Sequence, residues 1–363
     1  MKVLYLTDQN LDYLADTLYV GLSKVLGHDN VVDYPFKQIY HNPDFKYWFL
    51  VQRPGKDYEQ DEIIDLLKSN YFNLICISSF RKECLYEYQK LLRSVHLPPL
   101  VFIDGGDDAC IPHEGLRGLP IGVYFKREYV WQLGHPTLDY ARRLWSFRNS
   151  RDLYNITFPL PFSIVLETLP KFVEVQKIID ISYRGRASHP RRVKGVEVLS
   201  NLSGVRFNGG VYASPGDRKY KLKGSPLSRL GTKFFNNSLA DSSDLSKKYE
   251  MQPYYWEMAR SKIAVSFRGG GRSPSLRYFE IIGMKTLLLS DELEAIVPNN
   301  FKDHQHAVFF RKDLKNIPSL VRYYLEENDE REAIIQKGYD HLIKYHTCER
   351  RAEYFLDICQ RVL

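Results

Sequence analysis

The chain has 363 residues, 44% of them hydrophobic and 14% aromatic, which is enough for two domains with packed cores. No apolar run approaches the ~20 residues of a membrane-spanning helix, so we expect no spanning segment. The formal charge of +7 suits a phosphorylated ligand, an anionic membrane surface or nucleic acid, and a basic protein without a polyanionic partner would carry it equally well.

Five cysteines are scattered along the chain and form no C-x-x-C pair. Their odd number and their spacing predict neither a disulfide framework nor a structural zinc site, and they fit a reducing cytoplasm. The chain leads directly into its first predicted strand without a signal-peptide pattern, so we expect a cytoplasmic protein. Metal-ligand spacing is also absent from the histidines His113, His189, His304 and His306.

Strands and helices alternate in residues 1–130. Short apolar runs predict strands at 3–7, 31–32, 74–78, 99–103 and 121–126, and apolar residues at helical spacing predict helices at 11–26, 61–67 and 83–95. This alternation predicts an α/β fold, with a parallel sheet covered by helices on both faces. Because ligands bind such sheets at the carboxyl ends of the strands, the residues after each strand are candidates for a functional site.

Three aspartates follow the predicted strand 99–103. Asp104, Asp107 and Asp108 would point from its carboxyl end into a cleft, where a carboxylate can take the proton from an acceptor hydroxyl. We therefore treat all three as candidate catalytic bases. Aspartate also serves readily as an N-cap or turn residue, and the same cluster could bind a divalent cation.

Two basic residues, Lys126 and Arg127, end the next predicted strand. They would face the same cleft as Asp104 and could hold a phosphate or an anionic acceptor. A charged strand end in solvent is the commoner explanation for such a pair.

Prolines interrupt the pattern between residues 134 and 170. We place a domain junction near residues 165–175, with the first domain at 1–168 and the second at 169–345. A second series begins with a predicted strand at 177–183, a helix at 190–202 and a strand at 205–208. Gly185 and Arg186 open this series as a phosphate-binding turn would, and an ordinary strand-to-helix turn explains them equally well. The polar, basic stretch 212–248 predicts a mobile loop region near the cleft.

The most informative stretch is 261–289, which predicts a strand, a glycine turn, a helix at 276–282 and a second strand. Glycine at 269–271 allows a close approach of the backbone, and the orphan N–H groups and dipole of the helix favour an anion at its start. A nucleotide diphosphate joined to a sugar would satisfy the arginines around the turn and the glutamate one helical turn further on. The candidate donor-site residues are Arg268, Gly270, Gly271, Arg272, Ser275, Arg277 and Glu280.

The glycine triplet alone is weak evidence, because glycine-rich turns are more often turns without a ligand. It matches neither G-x-x-x-x-G-K-[ST] nor G-x-G-x-x-G, so the case depends on the combination of groups and on the downstream sequence.

The run L-R-Y-F-E-I-I-G-M-K-T-L-L-L, residues 276–289, resembles the donor-site helix of GT-B glycosyltransferases, the group called glycosyl transferases group 1. The order of sequence motifs over residues 250–363 resembles that of the spore-maturation-protein-like glycosyltransferases of bacteria and phages. The features that recur in order are the segment 306–310, a helical segment from Asp313, Glu330-Arg331, Gly338-Tyr339, His346-Thr347 and the segment 350–352.

This resemblance implies a GT-B fold, in which two Rossmann-like domains enclose a cleft and a C-terminal helix at 346–363 returns to the first domain. It implies a nucleotide-sugar donor in the second domain, with Glu280 on the ribose, and an acceptor in the first. No cofactor or metal is then needed, because backbone amides and arginines can neutralise the leaving diphosphate. Many GT-B enzymes carry a donor-sugar glutamate where this chain has Arg272, so the resemblance fixes neither the sugar nor a retaining mechanism.

We therefore expect a glycosyltransferase that moves a hexosyl or pentosyl group from a nucleotide-diphosphate donor to a hydroxyl acceptor. The acceptor would be a surface glycan or a lipid-linked precursor. A lipid-linked acceptor would be compatible with peripheral contact between the protein and a membrane. One alternative is a phage-type enzyme that glycosylates hydroxylated DNA bases, with the basic segments 191–194 and 218–223 along the phosphate backbone. Another is a non-catalytic nucleotide-sugar-binding protein.

Overall fold

Parallel sheets form the centre of each half of the molecule. The computed structural model describes residues 1–44, 50–112, 115–116, 118–130, 151–171, 175–212 and 251–363. The strands of the first sheet are β1 (Val3–Leu6), β2 (Val31–Tyr34), β3 (Leu74–Ile77), β4 (Leu100–Asp104), β5 (Ile121–Lys126) and β6 (Thr157–Pro159). They run parallel in the order β2-β1-β3-β4-β5-β6.

Helices of the first half connect these strands, and local sequence signals mark where they begin. They are α1 (Tyr13–Leu26), α2 (Gln38–His41), α3 (Gln60–Lys68), α4 (Lys82–Leu92) and α5 (Arg151–Asn155). The Asp12 carboxylate caps α1 by accepting the N–H groups of Leu14 and Ala15. A reciprocal pair of hydrogen bonds between Glu59 and Glu62 starts α3.

The second sheet also consists of parallel strands within the described residues. They are β7 (Ile179–Arg186), β8 (Phe207–Tyr212), β9 (Ser261–Ser266), β10 (Leu287–Asp291) and β11 (Val308–Phe310), in the order β11-β10-β9-β7-β8. The helices of this half are α6 (Pro190–Ser200), α7 (Met251–Ala259), α8 (Leu276–Gly283), α9 (Ile317–Glu326), α10 (Asn328–Tyr345) and α11 (Cys348–Val362).

The central strands are buried along their whole length. Every residue of β1, β3, β4 and β10 is buried, as a parallel sheet covered on both faces requires. The continuous apolar runs in the sequence therefore identified these strands correctly, and the predicted α/β class is confirmed.

The terminal helix α11 returns to the first domain, as expected. It packs along α1 so closely that a Cβ at Gly21 would lie 2.1 Å from the carbonyl oxygen of Cys348. The rings of Phe355 and Phe125 stack with centroids 4.7 Å apart, which joins α11 to β5. Thr347 caps the helix by accepting the N–H of Arg350. Glycine at position 21 is thus required by the close contact between the two helices.

One feature of the second half differs in detail from expectation, and another is not described by the structure. Strand β7 extends to Arg186, so Gly185 and Arg186 form the end of a strand and not the turn after it. The predicted loop region 212–248 lies, after Tyr212, outside the described residues, as does the basic segment 218–223. The proposed division into 1–168, 169–345 and 346–363 stays a prediction, with β6 ending at Pro159 and β7 beginning at Ile179.

Candidate active site

The carboxyl edges of the two sheets meet in the segment after β5 and the turn after β9. The Ser273 hydroxyl donates to the carbonyl oxygen of Arg127 at 2.5 Å, and the Ile296 N–H donates to the carbonyl oxygen of Tyr129 at 2.8 Å. These contacts join residues far apart in the sequence. They bring the basic strand end at Lys126 and Arg127 next to the glycine turn, two regions that the sequence had marked separately.

The backbone after the glycine turn binds an oxyanion that belongs to the chain itself. The N–H groups of Arg272 and Ser273 donate to Oε2 of Glu128 at 2.5 Å and 3.0 Å. A Cβ at Gly271 would lie 2.5 Å from Oε1 of Glu128, so the close approach depends on glycine. These two amides lie in the turn before α8, and the orphan N–H groups of the helix itself, which sequence analysis proposed for an anion, stay a prediction. Sequence analysis missed Glu128, whose only signal was its place beside Lys126 and Arg127.

Guanidinium groups gather on one side of the turn around a second carboxylate. Arg268 and Arg272 donate to Oε1 and Oε2 of Glu294 at 3.1 Å and 3.2 Å, and the Lys312 ammonium lies 2.7 Å from Oε1. Partial burial acts against the charge of Glu294, but Lys312 and Arg268 outweigh it and lower the pKa of this carboxyl to about 2. Glu294 thus holds together the arginines that sequence analysis had assigned to phosphate.

A cluster of like charges lies at the end of β7, on the other side of the turn. A Cβ at Gly185 would lie 3.2 Å from Nη1 of Arg277, and one at Gly269 would lie 3.1 Å from Nη2 of Arg192. Burial lowers the pKa of Arg192, and its neighbours Arg277 and Arg186 lower it further. This group, Arg186, Arg192 and Arg277, we call the arginine cluster.

Arg192 was not among the candidate donor residues. It lies in the first turn of α6, and its Nε is buried without a hydrogen-bond partner among the residues that the structure describes. The Nη2 of the same guanidinium faces Gly269, where it could donate to a bound oxyanion. Its sequence signal is the basic run 191–194, which the DNA alternative places along a nucleic-acid backbone.

Glu280 is buried and hydrogen-bonded by two tyrosines. Tyr254 and Tyr255 donate their hydroxyls to its two carboxylate oxygens at 3.0 Å and 3.1 Å, and Arg277 Nε donates to the Tyr254 oxygen at 3.0 Å. Burial raises the pKa of Glu280, although Arg277 and the tyrosines oppose the shift. Only 2% of Glu280 is exposed, so a ribose could reach its carboxylate only if a tyrosine gave way.

Tyr13 of α1, in the first domain, lies near the buried Glu280 carboxylate. Burial, with the nearby Glu280 charge as the next cause, raises the pKa of the Tyr13 phenol to about 12. Arg186 and Arg277 act on the same phenol in the opposite direction. Glu280 therefore lies where the two domains meet and not deep inside the second domain.

The three candidate bases have different surroundings. Asp104 is 1% exposed, and its carboxylate accepts the Gly106 N–H at 2.9 Å and the Tyr124 hydroxyl at 2.8 Å, besides an ion pair with Lys126. A carboxylate this deeply buried and already paired with Lys126 is poorly placed to take a proton from an acceptor hydroxyl.

Asp108 makes a turn, because its Oδ1 accepts the Cys110 N–H at 3.0 Å. Asp107 forms an ion pair with Arg127, and 76% of its side chain is exposed. Of the three, Asp107 is the most exposed and so has the carboxylate that an acceptor can approach most readily.

A small cavity lies at the start of α8, between the ends of β9 and β10. It is lined by side-chain hydroxyls and by the guanidinium groups of Arg268 and Arg272. The Tyr278 hydroxyl is buried there and has no hydrogen-bond partner in the part of the chain that the structure describes. The hydroxyl-bearing residues of the lining are Ser266, Ser273, Ser275, Tyr278 and Ser290.

Neither a metal-binding cluster nor a membrane-spanning helix is found among the described residues. They contain no group of three or more His, Cys, Asp or Glu side chains placed to hold a metal ion. None of their helices is both long and apolar enough to span a bilayer. That the reaction is metal-independent stays a prediction.

Comparison with known proteins identifies the fold. Residues 221–357 match the family model described as Glycosyl transferase-like. A glycosyltransferase from Rickettsia africae superposes with a TM-score of 0.62 at 10% identity, over 99% of this chain and 98% of that one. HepE from Anabaena, solved with UDP, superposes with a TM-score of 0.62 at 9% identity, and the match covers 99% of this chain and 100% of that one.

A DNA-modifying β-glucosyltransferase gives a TM-score of 0.53 at 12% identity, over 100% of this chain and 99% of that one. No curated protein matches the sequence. The expected GT-B architecture is confirmed. With its two parallel-sheet domains and its returning terminal helix, the chain has the fold of these GT-B glycosyltransferases, and its residues 221–357 resemble the Glycosyl transferase-like family.

Proposed function

We propose that the enzyme transfers a hexosyl group from a uridine-diphosphate (UDP) sugar to a hydroxyl of a surface glycan or of its lipid-linked precursor. The donor class is supported by the neighbouring structures of HepE with UDP and with UDP-glucose. The DNA-modifying β-glucosyltransferase likewise has uridine diphosphoglucose as its substrate. UDP-glucose is therefore the first donor to test.

One observation carries this proposal: the N–H groups of Arg272 and Ser273 converge on an oxyanion at the start of α8. Converging backbone amides in a turn that precedes a helix can bind phosphate oxygens in the same way. The arginine cluster lies beside the same glycine turn and supplies positive charge for a second phosphate. We assign the donor diphosphate to this position.

In the reaction, the amides of Arg272 and Ser273 and the arginine cluster stabilise the charge that develops on the departing diphosphate. Asp107 takes the proton from the acceptor hydroxyl as the acceptor oxygen forms a bond to the sugar. Water must be excluded from the cleft during transfer, because it would otherwise compete as acceptor.

A DNA acceptor is less favoured by the described residues. Arg191, the first of the basic run 191–194, binds the Asp291 carboxylate and donates to the Lys312 carbonyl oxygen at 2.6 Å. This arginine is therefore committed within the protein. A steep loss of binding to duplex DNA with rising salt, with a slope near −0.9 per phosphate contact, would restore the DNA alternative.

A thermal-shift panel of nucleotide sugars tests the donor class. A ligand at 100 times its dissociation constant stabilises a protein by about 2.7 kcal/mol, which is readily measured. We expect UDP-glucose to stabilise the wild type and to lose most of this effect in Arg192→Ala. The matched control is Lys194→Ala, which removes an exposed charge from the same helix. Equal responses of the two variants would contradict the assignment.

Turnover separates the enzyme from a non-catalytic binding protein. Release of UDP from UDP-glucose should depend on an added glycan or lipid-linked acceptor. Donor binding without any acceptor-dependent release, across both acceptor classes, would favour the binding protein.

A further inference from the structure

Glu128 links the two domains through the same amides that we assign to the donor. Its Oε2 accepts the N–H groups of Arg272 and Ser273, and only 1% of its side chain is exposed. Since Gly271 lies against Oε1, a larger residue there would collide with the carboxylate. Glu128 is thus seated in this group of amides and does not merely lie near it.

A carboxylate and a phosphate use these amides in the same way. Each is an oxyanion that accepts two converging N–H bonds, and such charge-assisted bonds are stronger than neutral ones. The two cannot occupy one pair of donors together, because the donors are shared and the charges repel. A diphosphate that binds through Arg272 and Ser273 must therefore displace Glu128.

The surroundings of Glu128 give it another partner and connect its movement to the domains. Arg127 Nε already donates to Oε1 at 3.2 Å, a contact within the first domain that can persist after displacement. The backbone of Arg127 and Tyr129 is hydrogen-bonded to Ser273 and Ile296 of the second domain. Release of Glu128 therefore weakens the contact that holds this edge of the cleft closed.

We propose that Glu128 is an internal competitor of the donor, an inference that rests on the proposed function. Between turnovers its carboxylate occupies the amides of Arg272 and Ser273. The donor diphosphate displaces it and loosens the contact between the domains, and the carboxylate returns as UDP leaves. Glu128 therefore lowers the affinity of the enzyme for UDP.

Titration calorimetry with UDP on the full chain tests this proposal. Glu128→Gln keeps the shape but offers a neutral oxygen, and Glu128→Ala removes the competitor, so the two variants provide independent tests if one folds poorly. Both should bind UDP more tightly than the wild type, by about tenfold, as expected for loss of a charged hydrogen-bonded competitor. Stopped-flow measurements should place the gain in faster association of UDP, because the two amides are then free before UDP arrives.

The control is Glu292→Gln, which removes the same charge from an exposed side chain beside the cavity at the start of α8. A gain in Glu128→Gln or Glu128→Ala with little change in Glu292→Gln supports the proposal. UDP binding that is unchanged or weaker in both Glu128 variants overturns it and leaves the proposed function standing, and an equal gain in Glu292→Gln also overturns it. Failure of all four proteins to bind UDP overturns the proposed function and this inference together.

Discussion

Lys126 and Asp104 form an ion pair between the last residues of β5 and β4, and both side chains are almost completely buried. Loss of one partner leaves the other charge buried without compensation, which typically costs 3–5 kcal/mol. We therefore predict that Asp104→Asn lowers the free energy of unfolding by about 3 kcal/mol. Chemical denaturation measures this change. A variant that is as stable as the wild type but inactive would instead identify Asp104 as the base.

Asp107 gives the complementary prediction, because its carboxylate is mostly exposed. Asp107→Asn should lower kcat by roughly 10²- to 10⁴-fold, the usual contribution of a general base, and should leave donor affinity and stability nearly unchanged. Asp152→Asn, an exposed aspartate of α5, is the control. Full activity in Asp107→Asn would remove this residue from the mechanism.

Replacement of Glu280 by glutamine should raise the stability of the protein and lower its affinity for UDP. The fold raises the pKa of Glu280 and so favours its neutral form. Its charge therefore costs stability above the folded-state pKa, and this cost disappears as the pH falls below the ordinary value of a glutamate. Glu280→Gln should be more stable than the wild type at pH 7, with the difference shrinking toward pH 4.

The same variant should bind UDP roughly tenfold more weakly, because it loses a charged acceptor for the ribose hydroxyls. Tyr255→Phe is the matched control, since it removes a donor to the same carboxylate and should lower stability. Denaturant midpoints at the two pH values, together with calorimetry, measure both effects. Greater stability without any loss of UDP affinity would exclude Glu280 from the donor site.

The contact between α1 and α11 predicts a strong effect of a single methyl group. Gly21→Ala places its Cβ against the Cys348 carbonyl, so the helices must move apart, at a cost of about 1–3 kcal/mol. Gly115→Ala is the control, because the nearest neighbour of its Cβ is 4.0 Å away. Equal melting temperatures for Gly21→Ala and the wild type would contradict the close packing of the terminal helix.

The sequence predicted the features that local patterns determine. The turn at 269–271 and the start of α8 follow from glycine, serine and an apolar run within a few residues of one another. The returning terminal helix came from the family resemblance and not from such a pattern.

Long-range pairing could not be predicted in this way. Glu128 meets the Arg272 amide across 144 residues, and only the folded arrangement of two domains brings them together. Asp104 and Lys126 were both candidates, but their pairing depends on the register of β4 and β5, which places them side by side. When each charge is considered separately, Asp104 is a candidate base, but in the folded protein its carboxylate forms an ion pair with Lys126.

The central claim is that the donor diphosphate binds at the amino end of α8. A crystal structure of the enzyme with UDP tests this most directly. We predict phosphate oxygens within hydrogen-bonding distance of the backbone nitrogens of Arg272 and Ser273, near the guanidinium of Arg192, with Glu128 displaced. UDP bound elsewhere, with Glu128 still on those two amides, would contradict the account.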